Sequence, residues 1–131
     1  DGVESVAVSR EDGMGVALLR AAGVPVLILS TEVNPVVAAR ARKLKVPVLH
    51  GIEDKASALK DWIAAEGLDP ARGAYLGNDV NDLGCLRLVG WPVIVADAHP
   101  AVRTAARLVL SHGGGQGAVR ELADLVLAAR P

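Results

Sequence analysis

The chain of 131 residues contains no phenylalanine, and its only large aromatic residues are Trp62, Tyr75 and Trp91. Aromatic side chains supply the stacking surfaces on which single-stranded nucleic acids bind, so their scarcity argues against that function. The core must therefore be aliphatic, and hydrophobic residues make up 51% of the chain. This proportion is sufficient to bury the single core of a domain of this length.

The chain also has little cysteine, a small net charge and no long apolar run. Cys85 is the only cysteine, which excludes an intramolecular disulfide, and its place in an apolar helical pattern predicts a buried thiol. The net charge is −1, with no basic stripe of the kind that binds nucleic acid. No apolar run approaches the ~20 residues of a membrane span, and no signal-peptide pattern is present. We therefore predict a soluble, cytoplasmic domain with no nucleic-acid or membrane partner.

Strand and helix patterns alternate from one end of the chain to the other. Strands are predicted over residues 4–9, 24–29, 46–49, 74–76, 92–96 and 107–110. Helices are predicted over 14–22, 36–44 and 118–128, and three more begin near residues 54, 83 and 99. This alternation predicts one α/β domain over residues 1–131, with a doubly wound parallel sheet in a three-layer α/β/α arrangement.

The segment Gly77-Asn78-Asp79-Val80-Asn81-Asp82 follows one of these strands. Ligands of open α/β sheets bind just outside the carboxyl ends of the strands. Asn78, Asp79 and Asp82 provide the hard oxygen atoms that Mg²⁺ prefers. A turn followed by a capped helix is the alternative, because Asn, Asp and Gly are common turn residues.

Two other strand ends carry polar residues. Ser30 and Thr31 follow the strand over 24–29, where hydroxyls and backbone N–H groups can cradle a phosphate, although ordinary loop polarity explains them as well. Lys55 begins a predicted helix, where the helix dipole disfavours a cation. Its position indicates an anionic partner such as phosphate, with a solvated surface lysine as the alternative. Together the three features provide what phosphoryl transfer requires: donors, a cation and a metal site.

These features occur in the order of the second, third and fourth motifs of haloacid-dehalogenase-type phosphatases: a hydroxyl at a strand end, then a lysine, then an acidic cluster that begins with glycine. The chain resembles the group of these enzymes that acts on 3-deoxy-D-manno-octulosonate 8-phosphate. It is also similar to the phosphatase-like domain fused to some acylneuraminate cytidylyltransferases, and two of its motif variants are closer to that branch. The segments that carry the resemblance are 12–15, 29–32, 54–55, 75–82, 95–100 and 117–121.

This resemblance implies a haloacid-dehalogenase-like fold without a large cap domain, and a Mg²⁺-dependent phosphatase that works through an aspartyl-phosphate. The implied substrate is a sugar-acid phosphate of the octulosonate 8-phosphate or acylneuraminate 9-phosphate class. Ser30 and Thr31 would bind the phosphate, and Lys55 would hold the phosphate and the nucleophile. Asn78 would take the metal-ligand position, supported by Asp79 and Asp82. A homotetramer and a fused or associated cytidylyltransferase domain are also implied.

The chain departs from the family pattern in two places. Asn78 replaces a carboxylate, which weakens the attraction for a metal. The Asp-x-Asp-Gly motif of the family's first strand, which carries the nucleophile, is missing. Asp1-Gly2 then fits the turn of a hairpin that follows that strand, and only part of this hairpin, around residues 1–9, is present. We therefore expect an N-terminally truncated or degenerate member of the family, with a central strand position left empty.

Three other functions are considered. A non-catalytic assembly or regulatory domain is favoured by the missing nucleophile and by Asn78. A dinucleotide-binding domain would need a third glycine after Gly13-Met14-Gly15, where Leu18 stands instead. A receiver-type signalling domain would carry its lysine after the acidic cluster, whereas Lys55 precedes it.

Overall fold

The computed structural model describes residues 3–9, 13–29, 48–49, 54–114 and 116–129. Its strands form one six-stranded sheet in the order β3-β2-β1-β4-β5-β6, and every neighbouring pair is parallel. This arrangement confirms the predicted doubly wound α/β sheet. The strands are β1 (Ser5–Val8), β2 (Val26–Leu29), β3 (Val48–Leu49), β4 (Gly73–Gly77), β5 (Trp91–Ile94) and β6 (Leu108–Val109).

Helices cover both faces of the sheet. The chain moves in one direction along the sheet from β1 to β2 and in the other from β4 to β5, so right-handed crossovers put the helices of these two units on opposite faces. The first helix packs against the last, and the second packs against the third. The helices are α1 (Gly13–Ala21), α2 (Lys55–Ala65), α3 (Leu83–Leu86) and α4 (Ala118–Ala128). The helix predicted over 36–44 lies outside the described residues.

The first strand occupies the centre of the sheet. β1 pairs with β2 on one side and with β4 on the other, so that Ala7 lies opposite both Leu27 and Tyr75. All four β1 residues are buried. An apolar run of this kind suits a parallel strand that is covered on both faces. No position is left empty between β2 and β4 in the described sheet, so the expectation of a vacant central strand is wrong.

The described core is aliphatic, as predicted, apart from Tyr75, and it includes the only cysteine of the chain. Cys85 is fully buried, and this burial raises the pKa of its thiol to about 11, so the group stays protonated at neutral pH. α1 and α4 approach each other closely at Gly15. A Cβ atom on Gly15 would lie 2.5 Å from the carbonyl carbon of Val119. None of the described helices is long and apolar enough to cross a membrane.

The chain around residue 99 forms a tighter turn than predicted. His99 caps a 3₁₀-helix, Pro100–Ala105, by accepting a hydrogen bond from the Ala101 N–H at its Nδ1 atom, 3.0 Å away. Pro100 at the first position fits a helix start, as predicted. The segment nevertheless stays in 3₁₀ geometry and leads into β6 at Leu108.

Candidate functional site

The candidate site lies at the carboxyl edge of the sheet, where the parallel strands end. Ser9 follows β1 and Asn78 follows β4, and the Ser9 hydroxyl donates to Asn78 Oδ1 over 3.5 Å. The His99 N–H, in the segment after β5, donates to the carbonyl oxygen of Asn78 at 2.9 Å. β2 ends at Leu29 on the same edge, but Ser30 and Thr31 themselves lie outside the described residues.

Asp82 is the most highly connected side chain at this edge. It is completely buried, and each of its two carboxylate oxygens accepts two hydrogen bonds. Oδ1 accepts from Lys55 Nζ at 3.0 Å and from the Tyr75 hydroxyl at 2.5 Å. Oδ2 accepts from the backbone N–H groups of Asn78 and Asp79 at 2.9 and 3.2 Å. A buried carboxylate requires such a complete set of donors, because an unpaired buried charge is very costly.

Gly77 makes room for this carboxylate. It is the last residue of β4, and a Cβ atom there would lie only 2.7 Å from Asp82 Cβ. Real side chains do not approach this closely, so the loop can fold back onto its own strand only over a glycine.

Lys55 is held beneath the same loop. Its side chain is only 5% exposed, which rules out the solvated surface lysine considered from the sequence. It is the first residue of α2, whose preceding residue, Asp54, accepts from the Ser57 N–H at 3.0 Å, so the helix start predicted near residue 54 is confirmed. The helix dipole disfavours a cation at this position, and the ion pair with Asp82 compensates for it.

Tyr75 belongs to this cluster, although the sequence analysis assigned it no role. Its hydroxyl is buried, and burial, followed by the nearby Asp82 carboxylate, raises its pKa above the ordinary value. The hydroxyl therefore remains protonated and can donate to Asp82. Alternation along β4 gives a signal for this placement, because residues 75 and 77 share one face of the strand.

The predicted metal ligands do not converge into a complete site. Within the described ranges, no group of three or more His, Cys, Asp or Glu side chains is placed to hold a metal ion. Asp82 has four protein donors on its two oxygens, and Asp79 Oδ1 accepts from the Val80 N–H at 2.6 Å.

Asn78 is also engaged within the protein, because its Oδ1 accepts from the Ser9 hydroxyl at 3.5 Å. The described donors alone therefore do not fit a resident Mg²⁺ site.

Comparison with known proteins places this arrangement in a family. A family model described as haloacid dehalogenase-like hydrolase matches residues 34–122. The 3-deoxy-D-manno-octulosonate 8-phosphate phosphatase of Yersinia pestis is 35% identical over 130 residues, which cover 98% of this chain and 70% of that enzyme. N-acylneuraminate cytidylyltransferase A of Danio rerio is 33% identical over 130 residues, which cover 96% of this chain but only 30% of that protein.

Solved structures agree with this assignment. A structure from Streptomyces avermitilis MA-4680, described as a HAD family hydrolase, is 50% identical with a TM-score of 0.87, and the match covers 98% of this chain and 87% of that one. The cobalt-bound form of the deoxy-D-mannose-octulosonate 8-phosphate phosphatase of Haemophilus influenzae is 28% identical with a TM-score of 0.90, and the match covers 98% of this chain and 89% of that one. The chain therefore belongs to the family of haloacid dehalogenase-like hydrolases.

Proposed function

We propose that this chain is a phosphatase-type domain that binds the phosphate of a sugar acid at the carboxyl edge of its sheet. The substrate class is 3-deoxy-octulosonate 8-phosphate or acylneuraminate 9-phosphate, which is supported by the similarity to the Yersinia enzyme and the zebrafish cytidylyltransferase. The observation that carries the proposal is the buried Lys55 ammonium, fixed at the strand ends by Asp82.

Lys55 acts as the cation that receives the phosphate. An ammonium group has three N–H donors, and Asp82 accepts one of them. Within the described part of the chain no acceptor occupies the other two, so they would donate to phosphate oxygens, together with the hydroxyls of Ser30 and Thr31, which follow β2 in the sequence. Because Asp82 already fixes the ammonium, little reorganisation is needed when the phosphate binds, which is the condition for effective electrostatic stabilisation.

Hydrolysis through an aspartyl-phosphate requires a carboxylate nucleophile in line with the phosphorus atom. The central strand, β1, ends at Val8, and the described residue that follows it, Ser9, is not a carboxylate. This chain would therefore bind the phosphate, and turnover would depend on a nucleophile other than the residue that follows β1.

A divalent metal belongs to the proposal only in a restricted form. The cobalt-bound Haemophilus relative supports a divalent metal in proteins of this kind. Mg²⁺ bound to this chain would need oxygen ligands in addition to those of Asn78 and Asp79.

The decisive experiment measures binding and turnover separately. Isothermal titration with inorganic phosphate and with each sugar-acid phosphate, with and without Mg²⁺, measures affinity, while released phosphate reports hydrolysis. Lys55→Met should abolish phosphate binding. Lys60→Met, which removes an exposed lysine from the same helix, should bind like the unsubstituted chain. Equal binding by all three proteins would refute the proposed site.

The second candidate is a non-catalytic assembly or regulatory domain associated with an acylneuraminate cytidylyltransferase. The observation that favours it is Ser9 at the tip of the central strand, next to Asn78, where the phosphatase mechanism requires carboxylates. This candidate predicts ligand binding with no phosphate release.

We also propose a single domain that forms a cytoplasmic homotetramer. Sedimentation equilibrium tests the tetramer, and a monomer would exclude it.

A further inference from the structure

The Tyr75 hydroxyl provides the fixed donor in the cluster around Asp82. The tyrosine ring lies in the core of the sheet, completely buried, and its side chain has only two rotatable bonds. Lys55, the other donor to the same oxygen, carries its ammonium on a flexible four-carbon stem. The two donors to Asp82 Oδ1 therefore differ in rigidity, although both are buried.

We propose that Tyr75 is a positioning residue: by fixing Asp82 Oδ1, its hydroxyl sets the orientation of the carboxylate that anchors both the Lys55 ammonium and the loop after β4. Asp82 Oδ2 receives the N–H groups of Asn78 and Asp79. A rotation of the carboxylate would loosen these two contacts and move the anchor of Lys55. Tyr75 thus links its own strand to the loop that follows it and to the start of α2.

The consequence for ligand binding rests on the proposed function, because Lys55 is the group that would meet the phosphate. The positioning itself can be tested without any ligand. In a carboxylate-bound backbone N–H, the proton resonance lies downfield, and loosening the bond moves it upfield. The amide resonances of Asn78 and Asp79 therefore report the orientation of Asp82 directly.

The experiment uses the full ¹⁵N-labelled chain and the variant Tyr75→Phe, which removes one hydroxyl. Both amide resonances should move upfield, and the Kd for inorganic phosphate should rise roughly tenfold, the factor that 1.4 kcal/mol produces. Val126→Ala is the control, because it trims a buried side chain on α4, which packs against α1 on the opposite face of the sheet. It should leave the two resonances and the phosphate affinity unchanged.

A second variant keeps the inference testable if Tyr75→Phe does not fold. Lys55→Met leaves the tyrosine in place, so the amide resonances of Asn78 and Asp79 should stay close to their original positions. The proposal would be overturned if the two resonances stayed unchanged or moved downfield in Tyr75→Phe. It would also be overturned if they moved as far in Lys55→Met or Val126→Ala as in Tyr75→Phe. If the unsubstituted chain binds no phosphate but the resonances move as expected, the proposed function fails while the positioning role stands.

Discussion

Replacing Asp82 with asparagine is expected to destabilise the fold strongly, because no orientation of the new amide satisfies its neighbours. All four groups around the Asp82 oxygens are hydrogen-bond donors. An asparagine must direct its NH₂ group either at Lys55 and Tyr75 or at the backbone N–H groups of the loop. In either orientation the new NH₂ group faces at least one group that can only donate a hydrogen bond. The Lys55 ammonium loses its charge partner in both orientations.

The magnitude follows from the burial of the pair. Lys55 is 5% exposed and Asp82 is fully buried, so solvent screens their interaction very little. Removing one partner of a buried ion pair typically costs about 3–5 kcal/mol. Folded domains have free energies of unfolding of only about 5–15 kcal/mol, so Asp82→Asn is expected to remove a large part of the total.

Lys55→Met should lower the free energy of unfolding by less than Asp82→Asn does. The carboxylate then keeps three donors, the Tyr75 hydroxyl and two backbone N–H groups, whereas Asp82→Asn leaves an ammonium without its charge partner. The stability effects of substitutions at residues in direct contact do not add. The double variant of Lys55→Met and Asp82→Asn should therefore be more stable than the sum of the two single losses predicts, by about 0.5–3 kcal/mol.

Urea unfolding followed by circular dichroism provides the measurement, with the midpoint compared at constant slope. Asp61→Asn is the matched control, because it makes the same chemical change at an exposed position on α2 and should alter stability by no more than about 0.5 kcal/mol. A loss below about 1 kcal/mol for Asp82→Asn, or strictly additive single losses, would refute the reasoning.

Three further predictions concern other parts of the fold. Gly15→Ala should lower stability by about 1–3 kcal/mol in thermal unfolding, because the new methyl meets the Val119 backbone, and an unchanged midpoint would contradict this contact. Partial burial raises the pKa of Glu121, but hydrogen bonds from Ser111 and His112 outweigh it, so the pKa lies below its ordinary value of 4.5. The stability that Glu121 contributes is therefore present above pH 4.5 and is lost as the pH falls through the lowered pKa, so the urea midpoints of the unsubstituted chain and Glu121→Gln should converge in acid; a constant difference would exclude this linkage. Asn78→Asp should strengthen Mg²⁺ binding in calorimetry by roughly tenfold, and no gain would exclude residue 78 as a ligand.

The layered architecture was predictable because the relevant signals are local. Continuous apolar runs indicated buried parallel strands, and a helical pattern from near residue 54 indicated the start of α2. The placement of β1 was not predictable in the same way. Whether residues 5–8 form a hairpin or a central strand depends on their partners, and those partners lie about 20 and 70 positions away along the chain.

Most polar side chains of the candidate site were predictable, but Tyr75 and the connections among them were not. Strand-end polarity identified Lys55, Asn78, Asp79 and Asp82, which the structure brings to one edge. The pattern Asn-Asp-x-x-Asp gave no indication that Asp82 turns inward, because the same residues suit a metal site, a turn or a capping box. The role of Tyr75 depended on a contact between a strand residue and the loop beyond it, which spacing alone does not show.

The central position of β1 also constrains how the chain can acquire its structure. Ser5 lies opposite Gly73, so one side of the first strand stays unpaired until residues 73–77 are available. Contacts between segments so distant in sequence require the closure of a long loop and slow the folding of small domains. During synthesis, β1 would emerge from the ribosome well before its partner β4 exists. The folding of this chain is therefore expected to wait for its second half.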